Sequence, residues 1–281
     1  MSYLRRVYAA SEDAREALVG ALWEAGTLGV EELASCTPGE EARHAAWFPE
    51  GAAPPANLPA GTRLVVEERV EAADWLAGWR ASATPISIGE RLWVDPREPD
   101  APAVDAPSGR LALRIPARTA FGTGSHASTS LALRLLERLP LAGAAVLDVG
   151  TGSGILTLAA LALGARRAIG FDLDAAAALL AGQHARLNGS RGAAFWAGGA
   201  ESLADRARFD VVLANALPHE LRPIDAEVAR AVAPGGRLVV SGMLGNEADT
   251  ALARWVALGL VAVDRLEDGE WAAASLARAG T

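Results

Sequence analysis

A short apolar run, Ala145-Val146-Leu147-Asp148-Val149, leads directly into Gly150-Thr151-Gly152-Ser153-Gly154 and then into the apolar stretch opened by Ile155. Alternating glycines let the backbone turn tightly and let a ligand approach main-chain amides, and a helix opening behind them offers a partial positive end. Strand-to-helix turns of this kind belong to α/β sheets, and the rest of the chain keeps the alternation. Strand-like Ala168–Phe171 is followed by helix-like Ala175–Leu187, Val211–Ala214 by Glu220–Val232, and Arg237–Ser241 by Glu247–Leu258. Strands that are apolar throughout and alternate with helices predict a parallel sheet covered on both faces. The final runs, Val261–Leu266 and Trp271–Leu276, flank an Asp268-Gly269 turn, which predicts a hairpin and an antiparallel end to the sheet.

The first part of the chain reads differently. Short strand-like runs at Tyr3–Tyr8, Gly29–Leu33 and Arg63–Val66 surround a helical segment from Ser11 to Trp23, with Ser11 as its expected cap and Glu12 and Asp13 in its first turn. A stretch rich in Pro, Ala and Gly between Gly51 and Gly61 reads as a loop. Asp74-Trp75-Leu76-Ala77-Gly78-Trp79-Arg80 sets two tryptophans on one helical face, as suits a packed linker. The expected organisation is a small α+β domain over 1–69, a linker helix over 70–84 and a large α/β domain over 85–281, beginning with short strands and proline-rich turns from Ile86 to Ile115.

Composition narrows the chemistry. All 26 basic residues are arginine, so chemistries that need a lysine ammonium drop out, among them the Walker phosphate loop, the pyridoxal Schiff base and the kinase nucleotide lysine. The one cysteine, Cys36, rules out a disulfide framework and cysteine-rich metal sites, and the four histidines, His44, His126, His184 and His219, lack metalloprotease spacing, so no metal is expected. There is no G-x-S-x-G elbow. A net charge of -8 disfavours a broad grip on nucleic-acid phosphate and suits a basic partner. The N-terminus lacks the pattern of a signal peptide, and no apolar run reaches the roughly 20 residues of a membrane span, so a cytoplasmic protein without membrane attachment is expected.

The loop itself discriminates among ligands. A dinucleotide fingerprint requires G-x-G-x-x-G, whereas here Ile155 stands at the third glycine position, which weakens a pyrophosphate reading. Asp172 ends the next strand 22 positions after Gly150, where a carboxylate can accept hydrogen bonds from ribose hydroxyls. Asp148, just before the loop, adds negative charge that suits a cationic ligand. S-adenosylmethionine meets these demands with a ribose, no phosphate, a sulfonium and an ammonium. A tight turn in an ordinary α/β domain and an NAD-dependent oxidoreductase are the alternatives at this point.

Several further segments carry a family resemblance. Phe121-Gly122-Thr123-Gly124-Ser125-His126-Ala127-Ser128-Thr129, Asp148–Gly154, Gly170-Phe171-Asp172-Leu173-Asp174 and Leu213-Ala214-Asn215 resemble successive signatures of the PrmA family, which methylates ribosomal protein L11. The likeness extends to Asp74-Trp75-Leu76, Trp79-Arg80, Pro234-Gly235-Gly236-Arg237, Ser241-Gly242-Met243-Leu244 and Gly269-Glu270-Trp271, and so spans roughly residues 70 to 276. It implies a class I S-adenosylmethionine methyltransferase domain, Rossmann-like with a seven-stranded sheet, behind an N-terminal substrate-recognition domain. It also implies methylation of amino groups, on lysine side chains or an N-terminus, of a basic ribosomal protein, free or ribosome-bound. Thr129, Gly150, Asp172 and Asn215 fall on the family's cofactor-contacting positions, Gly152 lies within the same loop, and Phe121 is expected to wall the cofactor. The chain departs from many relatives at Ala216-Leu217-Pro218-His219-Glu220, and its first 70 residues match only in general character.

Methyl transfer from a sulfonium disperses charge, so alignment of a neutral amine matters more than acid-base work, and no catalytic base is assigned. His126 is expected to orient rather than accept a proton, His219 is a weaker candidate of the same kind, and His44 and His184 are expected to be solvent-facing or locally bonded. Gly198-Gly199-Ala200-Glu201 offers no acid suited to an adenine amine, so backbone contacts are expected there. Asn215 lacks the following proline pair and aromatic ring with which adenine- and glutamine-directed enzymes hold a planar nitrogen. Competing functions are a small-molecule or RNA methyltransferase and a cofactor-binding protein without catalysis.

Overall fold

The computed structural model of the chain describes residues 2–11, 14–33, 42–55, 58–71, 83–102, 104–116 and 126–280. The chain divides into two compact units, Met1–Ser82 and Ala83–Thr281. In the first, strands β1 (Ser2–Ala10), β2 (Gly29–Leu33), β3 (Ala42–Pro49) and β4 (Thr62–Glu71) form an antiparallel sheet in the order β2-β3-β1-β4. Helix α1 (Arg15–Glu24) presents Leu18 and Leu22, one turn apart, to Tyr8, Ala46 and Phe48, which together form the core of this unit. The helix starts later than Ser11: its cap is Ala14, without a side-chain cap bond, and the Ser11 carbonyl instead accepts the Ala14 N–H in a preceding turn. Arg6 is buried, with its guanidinium over the Phe48 ring, and donates to the carbonyls of Ala52 and Ala53 and to Glu67, tying the Pro- and Ala-rich loop to the sheet. β4 runs to Glu71, into the start of the expected linker, and Trp75, Trp79 and Cys36 lie outside the described residues.

The second unit opens with a small sheet of β5 (Ile86–Ile88), β6 (Leu92–Asp95) and β7 (Leu111–Arg114). Helix α2 (Ala127–Leu136) follows, and then β8 (Ala145–Val149), α3 (Ile155–Ala162), β9 (Arg167–Asp172), α4 (Ala175–Leu187), β10 (Ala193–Ala197) and β11 (Phe209–Asn215). The chain ends with α5 (Pro218–Leu221), α6 (Asp225–Ala231), β12 (Val232–Leu244), α7 (Ala248–Ala257), β13 (Leu260–Asp268) and β14 (Trp271–Arg278). The main sheet has seven strands in the order β10-β9-β8-β11-β12-β14-β13, parallel through β12, with β14 antiparallel to both of its neighbours. The hairpin therefore inserts its second strand inside the sheet and leaves β13 at the edge.

Pleating explains the unbroken apolar runs. Val146, Val211, Leu213 and Val239 pack toward α2, α3 and α4, while Leu147, Val212, Ala214, Leu238 and Val240 pack toward α5, α6 and α7. The long helix expected over Glu220–Val232 is not continuous. Pro223 lacks an N–H and its ring blocks the preceding turn, so the segment splits into α5, a 3₁₀ turn at Arg222–Ile224 and α6, and Val232 already belongs to β12. Chain order reverses around β8, whose neighbours are β9 on one side and β11 on the other, so a crevice is expected at the carboxyl ends of β8 and β11.

Glu137, at the C-terminus of α2, fixes the small sheet to this framework. Its carboxylate accepts the backbone N–H groups of Glu90, Arg91 and Leu92 at 2.9, 3.0 and 2.9 Å. Glu137→Ala leaves these donors to solvent and is expected to lower stability by about 1–3 kcal/mol, with Glu137→Gln losing less. Urea titration of the intact chain measures the difference.

Candidate functional site

At the carboxyl edge of the sheet, Gly150, Gly152 and Gly154 all adopt positive φ, at 66°, 52° and 82°, a conformation that would strain other residues. The bend turns the chain from β8 into α3, with Gly154 as the cap of that helix. Two anchors hold it against β9: the Thr151 N–H donates to the Phe171 carbonyl at 2.9 Å, and the Gly152 N–H donates to Asp172 Oδ2 at 2.8 Å. Asp172 Oδ1 accepts the Asp174 N–H at 3.0 Å, while each carboxylate oxygen keeps further lone-pair capacity. Gly150, Gly152 and Asp172 thus line one cavity of about 880 Å³, which also reaches Asn215, His126 and Trp271.

Asp148 does not line this cavity. It is buried beneath the bend, where its Oδ2 accepts from the Thr151 hydroxyl at 2.7 Å, the Thr157 hydroxyl at 2.8 Å and the Thr157 N–H at 3.2 Å. Its Oδ1 is buried without a partner among the described residues. Burial pushes the carboxyl up to about 6, against the pull of these hydrogen bonds. Gly170 completes the packing, because a Cβ there would lie 2.6 Å from the Thr151 hydroxyl. Asp148 therefore shapes the bend from behind instead of meeting a ligand directly.

The other expected residues divide in a similar way. Asn215 ends β11 in the cavity wall, and its Nδ2 donates to Thr129 Oγ1 at 3.2 Å; its Oδ1 has no partner among the described residues. Thr129 is fully buried and reaches the cavity only through Asn215. Phe121 lies outside the described residues. His126 caps α2, its Nδ1 accepting the Ser128 N–H at 3.3 Å, which leaves the ring proton of the neutral form on Nε2. Desolvation holds the His126 pKa below the usual histidine range, with the Glu270 charge acting in the opposite sense. His184 and His44 are both buried rather than solvent-facing, and His184 Nδ1 lies 2.8 Å from the Ser153 carbonyl.

Leu173, which the sequence does not mark as a lining residue, is 84% exposed beside Asp172, an apolar side chain at the mouth of the cavity, and Gly199, Ala200 and Glu201, from the stretch where backbone contacts are expected, also line it. Glu201 Oε1 folds back onto the Gly199 N–H at 3.0 Å, which occupies the one acid in that stretch. Asp172, Asp174, Glu201 and Glu220 line the cavity, and no arginine does so among the described residues. The lining therefore carries four carboxylates and no fixed cation, which suits a cationic nucleoside and opposes a pyrophosphate.

This strand order, with a glycine bend after β8 and an acid ending β9, is the fold of a class I methyltransferase, a class that uses S-adenosylmethionine. The solved structure of a ribosomal protein L11 methylase from Lactobacillus delbrueckii subsp. bulgaricus superposes with a TM-score of 0.63 at 25% identity, covering 69% of this chain and 98% of that one. The pattern of the ribosomal protein L11 methyltransferase family (PrmA) matches residues 53–279, and the chain belongs to that family. A ribosomal protein L11 methyltransferase from Geobacter metallireducens is 40% identical over 200 residues, a match that covers 70% of this chain and 64% of that relative. One from Burkholderia multivorans is 34% identical over 297 residues and covers 96% of both chains.

Asp148 leads to a pH prediction. A carboxyl whose folded-state pKa lies above its unfolded value favours folding when protonated, so this contribution is present below about pH 4 and is lost as pH rises toward about 6. The stability of Asp148→Asn relative to the parent is expected to fall by roughly 2–3 kcal/mol on going from pH 7 to pH 4, because only the parent gains from protonation. Denaturant unfolding of both proteins across that range tests it, and a difference independent of pH contradicts the assignment.

Proposed function

We propose that this chain transfers methyl groups from S-adenosylmethionine to amino groups of ribosomal protein L11, on lysine side chains, the N-terminus or both. The observation that carries the reading is the single cavity in which the glycine bend, Asp172 and Asn215 meet, lined by carboxylates and by no arginine among the described residues. Membership of the family and the names of its relatives support the choice of substrate. The excess of acidic residues, 34 against 26 basic, suits a basic ribosomal protein better than a direct grip on RNA. Such a reaction belongs in the cytoplasm, where ribosomal proteins are made and assembled. Among the described residues, no helix is long and apolar enough to cross a membrane.

The residues present fit the donor. S-adenosylmethionine supplies an electrophilic methyl group on a sulfonium. Asp172 accepts the ribose hydroxyls with the lone pairs that Gly152 and Asp174 leave open, and the Gly150–Gly152 backbone gives close approach beside it. Leu173 and the Gly199–Glu201 turn, which line the same cavity, flank the base. Asn215, in the cavity wall at the end of β11, marks where the amine meets the methyl group, and Thr129 holds its amide in place. The amine releases its proton to water, a step that removal from water favours and the carboxylates of the lining oppose; its nitrogen then bonds to the methyl carbon as the sulfur–methyl bond breaks and S-adenosylhomocysteine leaves. His126 is ill suited to take that proton because its Nδ1 is already engaged by Ser128.

Incubation with labelled methyl donor and separated ribosomal proteins should place label on L11, located by mass spectrometry. The chain contains no lysine, so any methyl-lysine recovered comes from the substrate. Label confined to RNA would refute the protein-substrate reading. Asp172→Ala is expected to weaken S-adenosylhomocysteine binding by about 10- to 100-fold, the loss of hydrogen bonds to a charged acceptor, measured by isothermal titration.

A further inference from the structure

The order of strands gives the crevice a direction. Asp172, Gly150, Asn215, Gly242 and Trp271 stand at the same edge of five consecutive neighbours, β9, β8, β11, β12 and β14. Because β14 runs antiparallel, its first residue reaches the edge at which the parallel strands end. Four strand spacings separate the Asp172 and Trp271 ends, about 19 Å at ~4.8 Å each. On the proposed function, the adenosyl group occupies the Asp172 and Gly150 end and the reacting nitrogen meets Asn215. The Trp271 end remains, and it is a formed wall. The rings of Trp271 and His126 meet edge to face, with centroids 4.7 Å apart and planes at 68°, so each restrains the other. Gly242 lets β12 pass close to Ala216 beside this wall, since a Cβ there would lie 2.7 Å from the Ala216 carbonyl oxygen. Glu270 is exposed next to Trp271, and its main-chain carbonyl is held by the Gly245 N–H at 2.8 Å. No arginine joins this end of the cavity among the described residues.

An aromatic face beside a carboxylate suits an ammonium carried on an apolar stem. The stem packs on the indole, the ammonium is drawn in by the ring and the acid before it releases its proton to water, and a neutral His126 does not repel it. We propose that Trp271, braced by His126 and flanked by Glu270, is the substrate-side wall of the crevice, on which the alkyl chain of the protein amine lies as its nitrogen reaches Asn215. This inference rests on the functional reading above and assigns the half of the cavity which that reading leaves unused.

The test separates substrate binding from donor binding. Trp271→Ala, Trp271→Phe and Glu270→Gln are assayed for KM and kcat with purified ribosomal protein L11, and for S-adenosylhomocysteine affinity by titration. Trp271→Ala is expected to raise the KM for L11 by about tenfold, with donor-analogue affinity within about twofold of the parent, and Trp271→Phe should lie between the two. Glu270→Gln is expected to raise KM about threefold at low salt and to lose that effect at high salt. Unchanged KM in Trp271→Phe and Glu270→Gln, or a parallel loss of analogue affinity in a folded Trp271→Phe, overturns the proposal. A parent protein that binds the analogue but methylates no amine overturns the functional reading instead, which keeps the two failures distinct.

Discussion

The buried carboxylate of Asp148 holds the crevice in shape. One of its oxygens gathers the hydroxyl of Thr151 from the bend and both the hydroxyl and the N–H of Thr157 from the first turns of α3. Without that hub, the glycines would be free to turn in many ways, since the freedom that lets them adopt positive φ also makes them costly to order. The cost of burying a charge is offset only in part by three donors on a single oxygen, and the other oxygen has no partner among the described residues. Gly170 on β9 is small because Thr151 fills the space a side chain would need. Bend, helix and second strand are thereby fixed as one body, which brings the Gly152 N–H to Asp172.

Legibility in the sequence followed physical cause. The alternation of apolar strands with helices exposed the doubly covered sheet, because burial on both faces leaves unbroken apolar runs such as Ala145–Leu147 in β8 and Val211–Ala214 in β11. The bend and Asp172 were legible because only glycine tolerates the backbone there and because a carboxylate ends the following strand. Less regular segments hid themselves. β10 is an apolar run, Ala193–Ala197, but it is only five residues long, partly buried and set between glycine-rich turns, so it does not stand out as a strand. α2 was absorbed into the motif that contains its cap and went unread as a helix, although its buried face includes Leu131 and Leu135, one turn apart. The helix expected after β11 breaks because the apolar pattern was followed across Pro223, where the missing N–H outweighs periodicity.

Individual side chains were harder to read than elements. Asp148 drew attention as a charge near a cationic ligand, yet a period of two sets successive strand residues on opposite faces and does not reveal how far a strand end protrudes. Its neighbour Val149 lines the cavity while Asp148 lies beneath the bend. Leu173 carries no signal except its position after an acid, and its exposure becomes meaningful only once the cavity is visible. The burial of His44 and His184 was equally hidden, since it depends on what packs over strand β3 and helix α4.

The positions that the family likeness assigns to the cofactor therefore play two physical roles. Gly150, Asp172 and Asn215 face the cavity, as does Gly152 from the same bend, whereas Thr129 lies wholly within the fold and meets Asn215 alone among them. α2 explains why a buried threonine belongs in that company. The start of the helix is clamped to the sheet twice, by Ser241 Oγ donating to the Ser128 carbonyl at 2.8 Å and by Asn215 Nδ2 donating to Thr129. The same turn carries His126 against Trp271. One helix N-terminus thus links the carboxyl ends of β11 and β12 with the start of the antiparallel β14, and the orientation of the Asn215 amide, the seat of α2 and the plane of the Trp271 ring are set together. A side chain buried away from the cavity thus sets the geometry of those that line it.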